Sequence, residues 1–153
     1  MKRTIGLRFT NKGFAFAVLE GARRAHNLIA SSEVDCPKGF KACETAKWVK
    51  HELDAIFAKY KPNYVCIKAF EGRSKGSIYE ERVRLEGVAH YCASQLGLKD
   101  LARKRKATIA KDLGLKGRAR YLATLDTSPI AHFNDFGSLV QEAILVAWSD
   151  LKD

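Results

Sequence analysis

One hundred and fifty-three residues with an apolar fraction of 46% suffice for one domain with its own core, and exclude a disordered chain. No apolar run approaches the ~18 residues needed to cross a bilayer, and Arg8 and Lys12 interrupt the opening MKRTIGLRFTNKG, unlike a signal peptide. The formal charge of +10 is concentrated: nine Lys/Arg lie between Lys99 and Arg120 against Asp100 and Asp112, while residues 121–153 carry one Lys and five acids. A charge so distributed makes polyanions the natural partners, against the plainer reading that it only keeps the protein soluble, and the cysteine usage makes the cytoplasm the expected compartment. Cys36, Cys43, Cys66 and Cys92 form no C-x-x-C pair and fit buried, reduced thiols better than disulfides.

In chain order, Thr4 to Phe9, Phe14 to Leu19 and His26 to Val34 are strand-like runs joined by Asn11-Lys12-Gly13 and Gly21-Ala22, an antiparallel meander. Ala46, Val49, Leu53, Ile56, Phe57 and Tyr60 then form one stripe, predicting a helix over Ala42 to Tyr60 that ends at Lys61-Pro62. Tyr64 to Ile67 is a short apolar run, read as a buried strand. After the turn Glu71 to Gly76, Ser77 and Glu80 have capping-box spacing, and Ile78, Leu85, Val88, Ala89, Cys92 and Leu96 recur at helical spacing up to Gly97.

Asp100-Leu101-Ala102 is a weak fifth strand running into Arg103-Lys104-Arg105-Lys106. Thr108 caps a short helix to Leu113, residues 116–129 form a connection, and Asn134-Asp135 cap a last helix carrying Phe136, Leu139, Val140, Ala143, Val146 and Ala147. The order implies an α/β domain: a five-stranded mixed sheet, three antiparallel strands then two parallel βα units, flanked by helices.

That order, with the phrases at its strands, resembles the ribonuclease H-like fold, and within it the RuvC resolvase branch. Ile5-Gly6-Leu7-Arg8 is similar to the branch's opening strand, which reads Gly-x-Asp. Tyr64-Val65-Cys66-Ile67-Lys68 is similar to its fourth strand, which ends in Glu, and Glu142 to Trp148 to its last helix. Ile67-Lys68 with Lys75-Gly76 also resembles a bacterial family of small RuvC-like proteins. The resemblance implies carboxylates converging from the first strand, fourth strand and last helix on two Mg²⁺ ions that activate a water against a phosphodiester. Here Arg8 and Lys68 hold two of those positions, and Glu142 alone is acidic. This implies a degenerate nuclease site without a metal, with Glu142 paired to Arg8 or Lys68. A register slip of one residue would instead turn Arg8 to solvent. Glu71 and Asp135 are the two acids that could rescue a Mg²⁺ site together with Glu142.

Two basic features are candidates for phosphate contact. Arg73 and Lys75 sit in a glycine loop before a helix N-terminus, where amides favour an anion, although glycines in a plain turn read the same way. Arg103, Lys104, Arg105 and Lys106, with Lys111, Lys116, Arg118 and Arg120, form the second; if the first four are extended, Arg103 and Arg105 share one face and Lys104 and Lys106 the other. Tyr121 is the one aromatic among them, so phosphate contact is expected rather than base stacking. Glu80/Arg84 and Arg82/Glu86 are spaced as pairs on a solvated helix face. His26, His51, His90 and His132 lack metal-ligand spacing. Three functions remain open: a nucleic-acid-binding protein without nuclease chemistry, a Mg²⁺-dependent structure-specific nuclease with displaced carboxylates, and a module for an acidic protein partner. A homodimer is compatible with each.

Overall fold

The computed structural model describes residues 1–71 and 76–153. Strands β1 (Arg3–Phe9), β2 (Gly13–Ala22), β3 (Ala25–Asp35), β4 (Tyr64–Lys68) and β5 (Ala102–Lys104) form one sheet in the order β3-β2-β1-β4-β5. The first three pair antiparallel, whereas β4 runs parallel to β1 and β5 parallel to β4, so the mixed sheet expected from the element order is present. Helices α1 (Ala42–Tyr60) and α2 (Ser77–Gln95) cover one face; α3 (Lys106–Asp112) and α4 (Ser138–Asp150) belong to the other.

Strand alternation decides which side chain meets which layer. Ile5, Leu7 and Phe9 of β1, Phe14, Phe16 and Val18 of β2, and Val65 and Ile67 of β4 pack with Val49, Leu53 and Phe57 of α1 and Leu85, Ala89 and Cys92 of α2. The opposite face of β2 offers Ala15, Ala17 and Leu19 to Ala143, Ile144, Ala147 and Trp148 of α4. Small residues let α4 come close. A Cβ on Gly6 would lie 2.2 Å from the Ala143 carbonyl oxygen, so only glycine fits the crossing of β1 and α4.

Several expected boundaries shift. The fifth strand is Ala102–Lys104 rather than Asp100 to Ala102, because the register with β4 pairs Lys68 with Lys104. α3 starts from Arg105 instead of Thr108, and a 3-10 helix, Ala119–Thr124, interrupts the connection at 116–129. Asn134 and Asp135 lie in a short 3-10 turn, Phe133–Asp135, and α4 is preceded by Gly137, so Asp135 does not cap it. α2 begins beyond Gly76, at φ +87°, with no side-chain cap; Ser77 and Glu80 form no capping box. Ile78 and Leu96, placed on its apolar stripe, are exposed, while Arg82 and Glu86 are buried. Among the cysteines, Cys66 and Cys92 are buried as expected but Cys43 is exposed and Cys36 half-buried, all four as free thiols.

Candidate functional site

β1 and β4 are parallel neighbours whose register runs to Leu7 opposite Ile67. One residue further, Arg8 and Lys68 project from the same sheet face toward α4 at the C-terminal ends of both strands. Arg8 points inward; the register is not slipped. Its Nε donates to Glu142 Oε2 of α4 and its guanidinium also donates to the Phe9 carbonyl. The other oxygen of Glu142 lies 3.7 Å from Nζ of Lys106, the first residue of α3. The Lys106 backbone amide donates to Glu71 Oε2 at 2.9 Å, and the same oxygen accepts from Lys68 Nζ at 2.9 Å. Lys68 is 3% exposed and completes its bonding at the Ala69 carbonyl, 2.6 Å away.

The result is a connected network, Arg8–Glu142–Lys106–Glu71–Lys68, drawn from two strands, two helices and a loop, in which Lys106 meets Glu142 through its ammonium and Glu71 through its backbone amide. Burial penalises the Glu71 carboxylate, but the Lys68 ammonium and the Lys106 amide outweigh it and hold the carboxyl below its usual value. Glu71 thereby satisfies an open amide at the start of α3.

Beside this chain lies a second buried cation. Lys104 Nζ sits 3.0 Å from Asp112 and 3.2 Å from Asp150, and donates to the Ser149 carbonyl and hydroxyl. On the opposite face, Arg103 Nε meets Glu86 of α2 at 2.6 Å, and the Arg82 guanidinium lies 4.0 Å from the Phe70 ring centre. Arg82 and Glu86 are thus fixed in tertiary contacts, not a solvated pair.

The sequence matches no protein-family model and no curated protein. Solved structures do match: Thermus thermophilus RuvC superposes at a TM-score of 0.74 with 14% identity, covering 96% of this chain and 92% of that one. The yeast mitochondrial Holliday junction resolvase Ydc2 gives 0.63 at 16% identity, over 97% of this chain and 77% of that chain. A fowlpox virus resolvase in complex with Holliday junction DNA gives 0.53 at 11% identity, over 97% of each. The fold is that of the RuvC resolvases.

Within this RuvC-type fold, Arg8 is paired with Glu142 and Lys68 with Glu71. Asp135 stands apart: its carboxylate is exposed and lies 3.3 Å from His132. Glu71, Glu142 and Asp135 do not form a metal-holding group, and no cluster of three or more His, Cys, Asp or Glu that could hold an ion occurs among the described residues. Arg73 and Lys75 lie outside the described residues.

Of the second basic set, Arg105, Lys111, Lys116, Arg118 and Arg120 are exposed on and after α3. Lys116 and Arg120 stand over the Tyr121 ring, 5.5 and 5.0 Å from its centre. Lys104 does not belong with them, since it is buried between two carboxylates. Lys106 points its ammonium toward Glu142, and Arg103 is turned to Glu86 on the other face. Two participants escaped the sequence reading: Lys106 as the link between Glu71 and Glu142, and Asp150 as the partner of Lys104. The alternation proposed for residues 103–106 was the available signal, because it sets Lys104 on the face of Lys68.

Proposed function

We propose that this chain is a nucleic-acid-binding protein on a RuvC-type scaffold in which protein cations replace catalytic metal ions, so that it holds nucleic acid without cutting it. The observation that carries this reading is the Arg8–Glu142–Lys106–Glu71–Lys68 network, in which both acids are engaged by Arg8, Lys106 and Lys68. A divalent ion in that cleft would face two fixed cations, each unit of like charge costing about 4 kcal/mol at 4 Å and an effective dielectric constant near 20. Mg²⁺ also requires oxygen ligands in near-octahedral array, and both nearby carboxylates are already paired, Glu142 with Arg8 and Lys106 and Glu71 with Lys68. The side chains therefore do not fit a metal pair.

The exposed Arg105, Lys111, Lys116, Arg118 and Arg120 supply the surface for phosphates. One Thermus thermophilus RuvC structure is a complex with a Holliday junction substrate, which makes branched DNA the first ligand to try. The deciding experiment incubates the protein with branched and single-stranded DNA and RNA in Mg²⁺ or Mn²⁺ and measures binding to the same substrates across a salt series. Retention without cleavage, with affinity falling steeply as salt rises, is the expected result. Metal-dependent cleavage would return the chain to the nucleases, and salt-independent or absent binding would favour an acidic protein partner.

A further inference from the structure

Helix α2 carries more apolar surface than the core uses. Leu85, Ala89 and Cys92 turn inward. Yet of the eight large apolar side chains exposed among the described residues, Ile78, Tyr79, Val83 and Tyr91 belong to α2 and Leu96 follows it directly. Apolar groups gathered on one exposed element mark an interaction surface, whereas single ones scattered over a molecule do not.

Gly87 lies at the centre of this face. It is exposed in mid-helix, its φ is not positive, and a Cβ there would meet nothing within 4 Å. Gly6 is required where β1 crosses α4, but nothing within the chain requires Gly87. Glycine weakens a helix interior relative to alanine. What it offers in return is the close approach of another backbone, and here that backbone would come from outside the chain. Beside Gly87, α1 and α2 form a shallow groove of about 490 Å³, floored by Ala46, Val88 and Tyr91 and rimmed by Lys47, Lys50 and Arg84.

The exposed stripe of α2 is symmetric about this glycine. Val83 and Tyr91 stand one turn to either side, Arg84 and His90 slightly nearer, and Glu80 and Ser94 two turns away, all of them exposed. We propose that α2 is the docking surface for a second copy of this chain, in an antiparallel helix pair that crosses at Gly87. A two-fold axis there sets Val83 of each copy against Tyr91 of the other, Arg84 against His90 and Glu80 against Ser94. Apolar meets apolar, and acid never faces acid. The same operation carries the acidic start of one α2, at Glu80 and Glu81, toward the Lys50 side of the other copy's groove, next to Tyr91. The pairing does not depend on nucleic acid.

Sedimentation equilibrium without nucleic acid, over a concentration series, should show a species of twice the 17.1 kDa chain mass in exchange with the monomer. Gly87→Gln should act with opposite signs on the chain and on the pair. In dilute solution, where the chain is monomeric, glutamine should raise the melting temperature, as a better helix former with room for its side chain. At the axis the same side chain holds the helices apart, so the dissociation constant should rise roughly tenfold or more. Tyr91→Arg should weaken the pair to a similar degree, while Ile29→Arg, at an exposed apolar position of β3, should leave it intact.

Cross-linking gives an independent reading. In a Cys36→Ser/Cys43→Ser background, oxidation of Gly87→Cys should yield one covalent dimer, and Ser32→Cys on β3 should not. The assignment is overturned if the chain sediments as a monomer throughout, which would leave the α2 face to a different protein. It is equally overturned if the dimer forms undiminished with both Gly87→Gln and Tyr91→Arg, which would put the contact elsewhere. A failure of strand binding would leave these results unchanged, so the two proposals are tested apart.

Discussion

Glu71 shows how much one side chain is asked to do in this cleft. Its Oε2 accepts both from the Lys68 ammonium and from the Lys106 amide, so Glu71→Gln would weaken a pair and open a helix start together. Lys68 keeps its bond to the Ala69 carbonyl, which limits the loss to about 2 kcal/mol at neutral pH. The pH dependence follows from the sign of the shift. A carboxyl held below its unfolded value stabilises the fold above that unfolded value and loses its contribution as pH falls through the folded one. Melting curves of the parent and Glu71→Gln should therefore differ at pH 7 and converge in acid. A constant gap down to pH 3 would mean that Glu71 acts through packing rather than charge. Glu142→Gln should likewise lower the melting temperature, because the half-buried Arg8 would lose its carboxylate. The cysteines make a simpler case. Burial pushes the Cys66 thiol well up, and burial with Asp54 nearby pushes Cys92 up to about 11, whereas Cys43 is exposed. Alkylation followed by mass spectrometry should find Cys43 labelled fastest in the native protein, and Cys66 and Cys92 only after unfolding.

The joint between β5 and α3 separates structural from surface charge within two adjacent residues. Lys104 is enclosed by Asp112, Asp150 and Ser149, so Lys104→Ala should cost about 3 kcal/mol by leaving the buried Asp150 with only the exposed Lys152 ammonium, 4.0 Å away. Arg105, exposed at the head of α3, should be replaceable by Ala with a change in stability within about 0.5 kcal/mol and a measurable loss of nucleic-acid affinity. Denaturant melts and a binding titration on the two variants test this contrast; the same loss of stability in both would erase it. From sequence, alternation divided 103–106 between two faces, but a basic run carries no mark of which members find acids at a distance. Asp150 is forty-six residues from Lys104 and meets it only through the packing of α4. The same limit explains Arg82 and Glu86. Their i, i+4 spacing is that of a solvated pair, yet Phe70 and Arg103 reach them from outside the helix. By contrast, β1 to β4 and α1 were legible because their patterns are local: strand-like runs set off by turns, a short apolar run at β4, and a stripe from Val49 to Phe57 in the helix. The start of α4 was misread at Asn134-Asp135, since good capping residues occur as readily in a 3-10 turn.

The whole molecule has the fold of the RuvC resolvases, and the proposal that cations at its centre stand in for metal can be tested by reversing their charge. Arg8 and Lys68 stand at the C-terminal ends of adjacent parallel strands, with Glu142 and Glu71 already beside them. Arg8→Asp/Lys68→Glu would replace both cations by acids and release the two glutamates from their ion pairs. Four carboxylates in one partly buried cleft repel one another, so the double variant should be less stable than the parent in chelator. Mn²⁺ supplies the missing positive charge, and any ion that binds the native state alone stabilises it by RT ln(1 + [L]/Kd), about 2.7 kcal/mol at a hundredfold excess over Kd. The melting temperature of the double variant should thus rise by several degrees on adding Mn²⁺, while that of the parent stays put. Single Arg8→Asp or Lys68→Glu variants retain one cation in the cleft and should respond much less. If the parent itself is stabilised by Mn²⁺ as strongly as the double variant, the cations at Arg8 and Lys68 do not keep metal out. The proposal that they stand in for it would then be wrong, whatever the protein binds on its basic surface.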